Sequence, residues 1–213
     1  MRLEDELEHL NQMIIKMSEQ VIFNLNTAME IYKNYDEEKA SLINDDVVDL
    51  HERLIEEMCL NIMLKERPFA KDLRLVSGIL KLVSDLERLG DHAEDIRDIV
   101  KKRNDHEYFE FIILNQCFEN AMSMVRDSII AFINKDIDLA NEVINRDAIV
   151  DELFERGIKK IIERLDNKEY SNKYSIYATL VIKYVERIAD HAVNIAEWVI
   201  YILVGYHKDT QII

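Results

Sequence analysis

The sequence predicts an all-α protein built as two tandem antiparallel three-helix bundles, related by internal duplication. Three observations carry that expectation. Four glycines and one proline are spread over 213 residues, so few positions interrupt a helix. Apolar residues recur at three-and-four spacing along most of the chain, the mark of helices with one buried face. The run L-E-R-L-G-D-H-A-E-D-I-R-D-I at Leu86–Ile99 returns as V-E-R-I-A-D-H-A-V-N-I-A-E-W at Val185–Trp198, with six identities in fourteen matched positions. Shared helical composition does not place Glu, Arg, Asp, His, Ala and Ile at the same offsets twice; duplication does.

The elements follow in order. A first helix runs from Leu3 to about Asn34, with Leu7, Leu10, Ile14, Met17, Val21 and Leu25 on one face. Glu6 and His9 form an E-x-x-H, which in carboxylate-bridged di-iron bundles supplies two ligands. That architecture needs a second such motif and the sequence has none, so His9 reads as a surface histidine. A second helical stretch spans Asp36–Glu66, with Val47, Leu50, Leu54 and Met58 as its core stripe. Asp45, Asp49, Glu52 and Glu56 lie about 180° away as an outer ladder. Pro68 opens the third helix at a position where its missing N–H costs nothing, and Asp72 favours the helix N-terminus. This helix continues to about Arg103 with Leu82, Leu86, Leu89, Ala93 and Ile96 on its core face. Glu87, Asp91 and Asp95 sit about 180° from that stripe, on an outer face or in a groove there.

Asn104 and Asp105 mark the boundary between the halves, 1–104 and 105–213. The fourth helix covers about Glu107 to Asn134, and N-K-D-I-D turns the chain into the fifth, where Asp147 and Asp151 repeat the spacing of Asp45 and Asp49. After a hairpin around L-D-N-K-E-Y-S-N the sixth helix carries Val181, Val185, Ile188, Ala192 and Ile195 inward. Glu186, Asp190 and Asn194 face the other way. It ends near Gly205, a helix C-cap. Trp198, Tyr201 and Tyr206 read as packing aromatics.

The net charge of −15 argues against nucleic acid, which needs a basic stripe, and against adhesion to an anionic bilayer. The acidic start M-R-L-E-D-E-L-E-H-L does not read as a signal peptide. The longest apolar run, Trp198 to Tyr206, has nine residues, about half a membrane span. Cys59 and Cys117 are isolated and form no disulfide pattern. A soluble protein of a reducing compartment, most simply the cytoplasm, is expected.

Carboxylates four apart on a helix destabilise it by a few tenths of a kcal/mol per pair, and a shared cation reverses that sign. The repeated pairs are Asp45 with Asp49, Glu87 with Asp91, Asp147 with Asp151, and Glu186 with Asp190. Oxygen-only sets suit magnesium, calcium, manganese or iron, with zinc also admitted. A solvated acidic face on an acidic protein is the bland alternative, and the repetition in both halves weighs against it.

The order D-x-x-V-D (Asp45–Asp49), R-P-F-A-K-D-L-R (Arg67–Arg74), L-K-L-V-S-D-L-E-R-L-G-D (Leu80–Asp91), D-x-x-V-D (Asp147–Asp151) and V-E-R-I-A-D-H-A-x-N-I (Val185–Ile195) resembles the PhoU family over nearly the full length. The resemblance implies a six-helix protein that binds iron, zinc or other divalent ions through the four pairs named above. It implies a regulator of phosphate uptake, an adaptor between the ATPase of a phosphate ABC transporter and a sensor histidine kinase. Such a protein holds phosphate-starvation genes off when phosphate is plentiful, and a homodimer is expected. The pattern departs at Asp95, where Asn is frequent, at Ala189, where the first copy has Gly90, and at Arg67, where Gln is frequent. No Gly-rich phosphate loop and no nucleophile with a paired base stand in the sequence, so no catalysis is expected. The competing readings are a carboxylate-bridged metal enzyme, an accessory protein of another phosphate carrier, and a purely structural bundle.

Overall fold

The structure is a computed structural model that describes residues 3–103, 111–207 and 210–211. Six long helices carry the architecture: α1 (Leu3–Lys33), α3 (Asp45–Lys65), α4 (Ala70–Arg103), α5 (Ile112–Asn134), α6 (Ile137–Asp166) and α7 (Asn172–Val204). A one-turn helix, α2 (Glu37–Ala40), precedes α3. After α7, β1 (Tyr206–His207) pairs antiparallel with β2 (Thr210–Gln211). The packing is α1, α3 and α4 in one bundle and α5, α6 and α7 in the other, joined mainly by α4 against α7 and less by α1 against α5. Two antiparallel three-helix bundles in tandem are thus what the chain forms. The expected boundary at Asn104–Asp105 and the first residues of the expected fourth helix lie outside the described residues.

The helix ends follow local chemistry. Asp36 caps α2, its side chain accepting from the Glu38 and Lys39 amides at 2.9 and 3.1 Å. The stretch expected as one helix over 36–66 is therefore two, because the chain turns at Ser41–Asn44 and buries Ala40 and Ile43 before Asn44 starts α3. The helix expected from Pro68 begins at Ala70. Lys135, in the left-handed conformation at φ 57°, ends α5, and Asp136 caps α6 by accepting from the Leu139 amide at 3.0 Å. Ser171 caps α7, and Gly205, at φ 86°, ends it as expected.

The core stripes of α1, α4 and α7 match the periodicity: Leu10 to Leu25 on α1, Leu82 to Ile96 on α4 and Val181 to Ile195 on α7 are buried. That of α3 does not. Val48, Ile55, Cys59 and Ile62 are buried, whereas Leu50 and Leu54 are 54% and 44% exposed. The helix carries two apolar stripes, and the narrower one packs inward. Helical arithmetic places it next to Asp45, Asp49, Glu52 and Glu56 rather than opposite them. The acidic ladder of α3 therefore borders the core and is not on an outer face.

The seam between the bundles holds part-buried polar contacts. Asp85 on α4 accepts from His191 Nδ1 at 2.8 Å, Asn194 Nδ2 at 3.0 Å and Trp198 Nε1 at 3.2 Å, all on α7. At the matching positions of the repeat, Tyr184 of α7 lies near Asp95 of α4 and meets His92 at a tilt, ring centroids 5.4 Å apart. Contacts exchanged in this reciprocal way relate the two repeats by an approximate two-fold axis. Trp198 also meets Tyr201 edge-on at 5.8 Å, so these two aromatics pack as expected. Replacing Asp85 by Ala removes one acceptor shared by three donors and is expected to cost about 2 kcal/mol. Urea unfolding of the full chain measures this, and an unchanged midpoint would make the network ornamental.

Candidate metal centre

Each bundle brings two carboxylate-bearing helices side by side, α3 with α4 and α6 with α7. In the first, Gly90 sets the approach. A Cβ there would stand 2.5 Å from Asp45 Oδ1 and 3.1 Å from Val48 Cγ1. The absence of a side chain lets the start of α3 lie on α4 and turns Asp45 into the interface. Its Oδ1 is buried without a hydrogen-bond donor. The neighbouring carboxyl group is that of Asp91, and two carboxylates pair only when one keeps a proton. Burial first, then the charges of Asp91 and Asp49, push Asp45 up to about 7.

Glu87 behaves alike. Its side chain is 17% exposed, and burial followed by Asp91 pushes it up to about 7, with Arg88 opposing. Glu52 is raised by burial and then by Glu56. In the second bundle burial, then Asp151 and Asp190, push Asp147 up to about 6. Asp190, though exposed as a residue, is raised by partial desolvation and then by Glu186. Glu186 is 13% exposed, so both glutamates of the duplicated motif lie in grooves.

The eight residues singled out in the sequence are thus divided four and four between two helix pairs, where their charges act on one another. The cations already there are protein side chains. Arg88 reaches Asp91 at 2.6 Å and Glu87 at 3.4 Å, Arg53 reaches Asp49 at 3.4 Å, and Lys183 reaches Glu186 at 2.6 Å. Such half-exposed pairs contribute about 0–1 kcal/mol and exchange readily for a divalent ion. Among the described residues no three His, Cys, Asp or Glu side chains stand in ready ligating geometry. The donors fit a hard cation by chemistry, by excess like charge and by the donorless Asp45 oxygen.

Arg88, Lys183 and Glu197 take part in these electrostatics without having been named from sequence. Arg88 and Arg187 were legible, since both copies read E-R; Lys183 was not, because Ser84 occupies its matching position. At the position of Gly90, the second copy has Ala189, wholly buried, so that interface accommodates a methyl group. Gly90→Ala is expected to leave stability nearly unchanged, because about 1 kcal/mol of helix propensity offsets the crowding of Val48. It moves the Asp45 carboxylate, so isothermal titration with Mn²⁺ should show weaker binding in the first bundle only.

Comparison with known proteins follows the same division. The PhoU domain model matches residues 14–100 and, again, 114–199. A phosphate-specific transport system accessory protein PhoU homolog of Clostridium acetobutylicum is 31% identical over 211 residues, covering 97% of this chain and 96% of that protein. Its counterpart from Aquifex aeolicus is 36% identical over 190 residues, covering 88% and 86%. The crystal structure of PhoU from Pseudomonas aeruginosa superposes with a TM-score of 0.91 at 28% identity, over 96% of this chain and all of that one. The phosphate transport system regulatory protein PhoU from Streptococcus pneumoniae gives 0.90 at 26% identity, over 98% of this chain.

Proposed function

The chain belongs to the PhoU family, and from that premise we propose that it is the metal-binding regulatory accessory protein of a phosphate transport system. It acts without catalysis as a cytoplasmic adaptor between the transporter's ATPase and a sensor histidine kinase, and it holds phosphate-starvation genes off when phosphate is plentiful. The observation that carries this reading is the family match to both halves, each match containing a helix pair lined with mutually destabilising carboxylates. Relatives of this length are named accessory or regulatory proteins, which supports a role through protein contacts. No helix among the described residues is long and apolar enough to cross a membrane, so a membrane complex would be reached through a protein partner.

Asp45, Asp49, Glu87 and Asp91 would hold the ion of the first bundle, and Asp147, Asp151, Glu186 and Asp190 that of the second. A bound divalent ion neutralises the groove and offers open coordination positions to a partner's carboxylate or to a phosphate oxygen. Iron, zinc, manganese, magnesium and calcium are all compatible with these donors, and the protein acts as a homodimer in this reading.

The reading is tested genetically. Deleting the gene should derepress phosphate-starvation genes in high phosphate, and supplying it in trans should restore repression. Unaltered expression in the deletion strain would remove the regulatory role. Elemental analysis of Glu87→Ala/Asp91→Ala should show metal lost from one half and kept in the other.

A further inference from the structure

Between the carboxylate faces, with Asp91 and Asp190 on its rim, the α4–α7 seam opens a groove of about 510 Å³ across the approximate two-fold axis. His92 and His191 line it, one from each repeat, with ring centroids 5.4 Å apart. His92 is 6% exposed, yet neither of its ring nitrogens has a hydrogen-bond partner. Asp95 Oδ2, at 3.7 Å from His92 Nδ1, is too far to serve. A buried imidazole with both nitrogens unmatched is costly and uncommon, and here it borders an open groove.

His191 is held differently. Its Nδ1–H points to Asp85 at 2.8 Å, which leaves Nε2 with its lone pair in the neutral ring. Histidines that ligate metals typically donate their other nitrogen to a carboxylate in this way. With metal–nitrogen bonds of about 2.0–2.1 Å in tetrahedral geometry, two imidazoles on one ion have centroids roughly 5 Å apart, near the separation observed. Asp91, Asp95 and Asp190 outweigh Arg88 and Arg187 along the groove, so its charge favours a cation over an anion.

We propose that this groove binds one borderline divalent transition cation of the zinc, cobalt or nickel class, held by His92 and His191 and thereby bridging the two repeats. Water completes the coordination, beside the half-exposed Asp95. Imidazole donors select such ions over magnesium and calcium, which separates this site from the oxygen-only faces of the bundles. An ion here pins α4 to α7 and so couples the halves.

The test uses the full chain, stripped of metal and kept in excess Mg²⁺ so that hard-ion positions are filled, then titrated with Zn²⁺. One Zn²⁺ per chain should bind more tightly than any on the carboxylate faces, and His92→Ala and His191→Gln should each weaken that tightest site about tenfold or more. Glu155→Gln, on the exposed face of α6, should not change it. With one equivalent of Cu²⁺, pulsed electron paramagnetic resonance should show two imidazole couplings in the unmodified chain and one in His191→Gln. His191 is partly exposed and tolerates Gln at its Asp85 contact, so this variant decides the matter even where His92→Ala unfolds the core. Equal Zn²⁺ affinity in His191→Gln, or no imidazole coupling in the unmodified chain, overturns the site. Mn²⁺ binding lost in Asp45→Ala/Glu87→Ala, neither of which lines the groove, reports separately on the carboxylate faces.

Discussion

Freed of divalent cations at about pH 8, the Asp45→Asn/Asp147→Asn variant is expected to melt roughly 5–10 °C above the unmodified chain, and at about pH 4 or below to melt close to it. The sign follows from the protons. Asp45 and Glu87 are raised to about 7 and Asp147 to about 6, each chiefly by burial. Between the unfolded value near 4 and these folded values, the native state binds more protons than the unfolded one. The stability these groups contribute is therefore complete below about pH 4 and lost as pH rises through about 6 to 7. Discounted for their partial exposure, the two aspartates together account for on the order of 2–3 kcal/mol at about pH 8. Loss of the Asp45 charge at the start of α3 gives back a few tenths of a kcal/mol.

His92 titrates with the opposite sign. Burial, then His191 and Arg187, lower it to about 4, so it favours folding as pH rises past the unfolded histidine value. The comparison between variant and unmodified chain removes this term, because both contain His92. Added Mn²⁺ should reverse the order at about pH 8, raising the melting temperature of the unmodified chain and scarcely that of the variant. Calorimetry with and without chelator measures all four conditions. A pH-independent difference between the two proteins would mean that the aspartates are ionised in a well-solvated face, and that the grooves do not store repulsion.

The second large effect is expected on the regulation proposed above. Replacing Glu87, Asp91, Glu186 and Asp190 together by Ala takes one helix's carboxylates from each groove. It also leaves Arg88 and Lys183 without their 2.6 Å partners. The grooves change from acidic to nearly neutral, and cation binding in both halves should fall below detection at millimolar concentration. The helices themselves should survive, because Ala has the highest helix propensity and the core stripes are untouched. Expression of phosphate-starvation genes in high phosphate should then rise to the level of the deletion strain. Pull-down of the kinase or the transporter ATPase should weaken in parallel. A folded quadruple variant, free of metal and fully repressing, would confine the ions to a stabilising role and move the contact surface elsewhere on the protein.

The sequence by itself determined the six long helices, their duplication and the two carboxylate sets, and for a physical reason. Helical period, capping residues and i, i+4 spacing are properties of a single segment. Gly205 and Asp136 mark their helix ends whatever packs beside them. The core stripes of α4 and α7 were legible because each has only one continuous apolar arc. The turn at Ser41–Asn44 was not, since S-L-I-N carries no proline or glycine and its break depends on burying Ile43.

What the tertiary structure alone decided is which arc of a helix faces its neighbours. On α3 two apolar stripes compete, and packing against α1 and α4 turns the stripe of Val48 and Ile55 inward, with Asp45 and Val48 lying against Gly90. That choice moved the acidic ladder from an expected outer face to the edge of the core, where burial raises Asp45 and Glu52. The pairing of Asp85 with His191, Asn194 and Trp198, and the solitary burial of His92 beside them, depend likewise on α4 meeting α7. Periodicity fixes the angles of residues around one axis; the distance and rotation between two axes come only from packing.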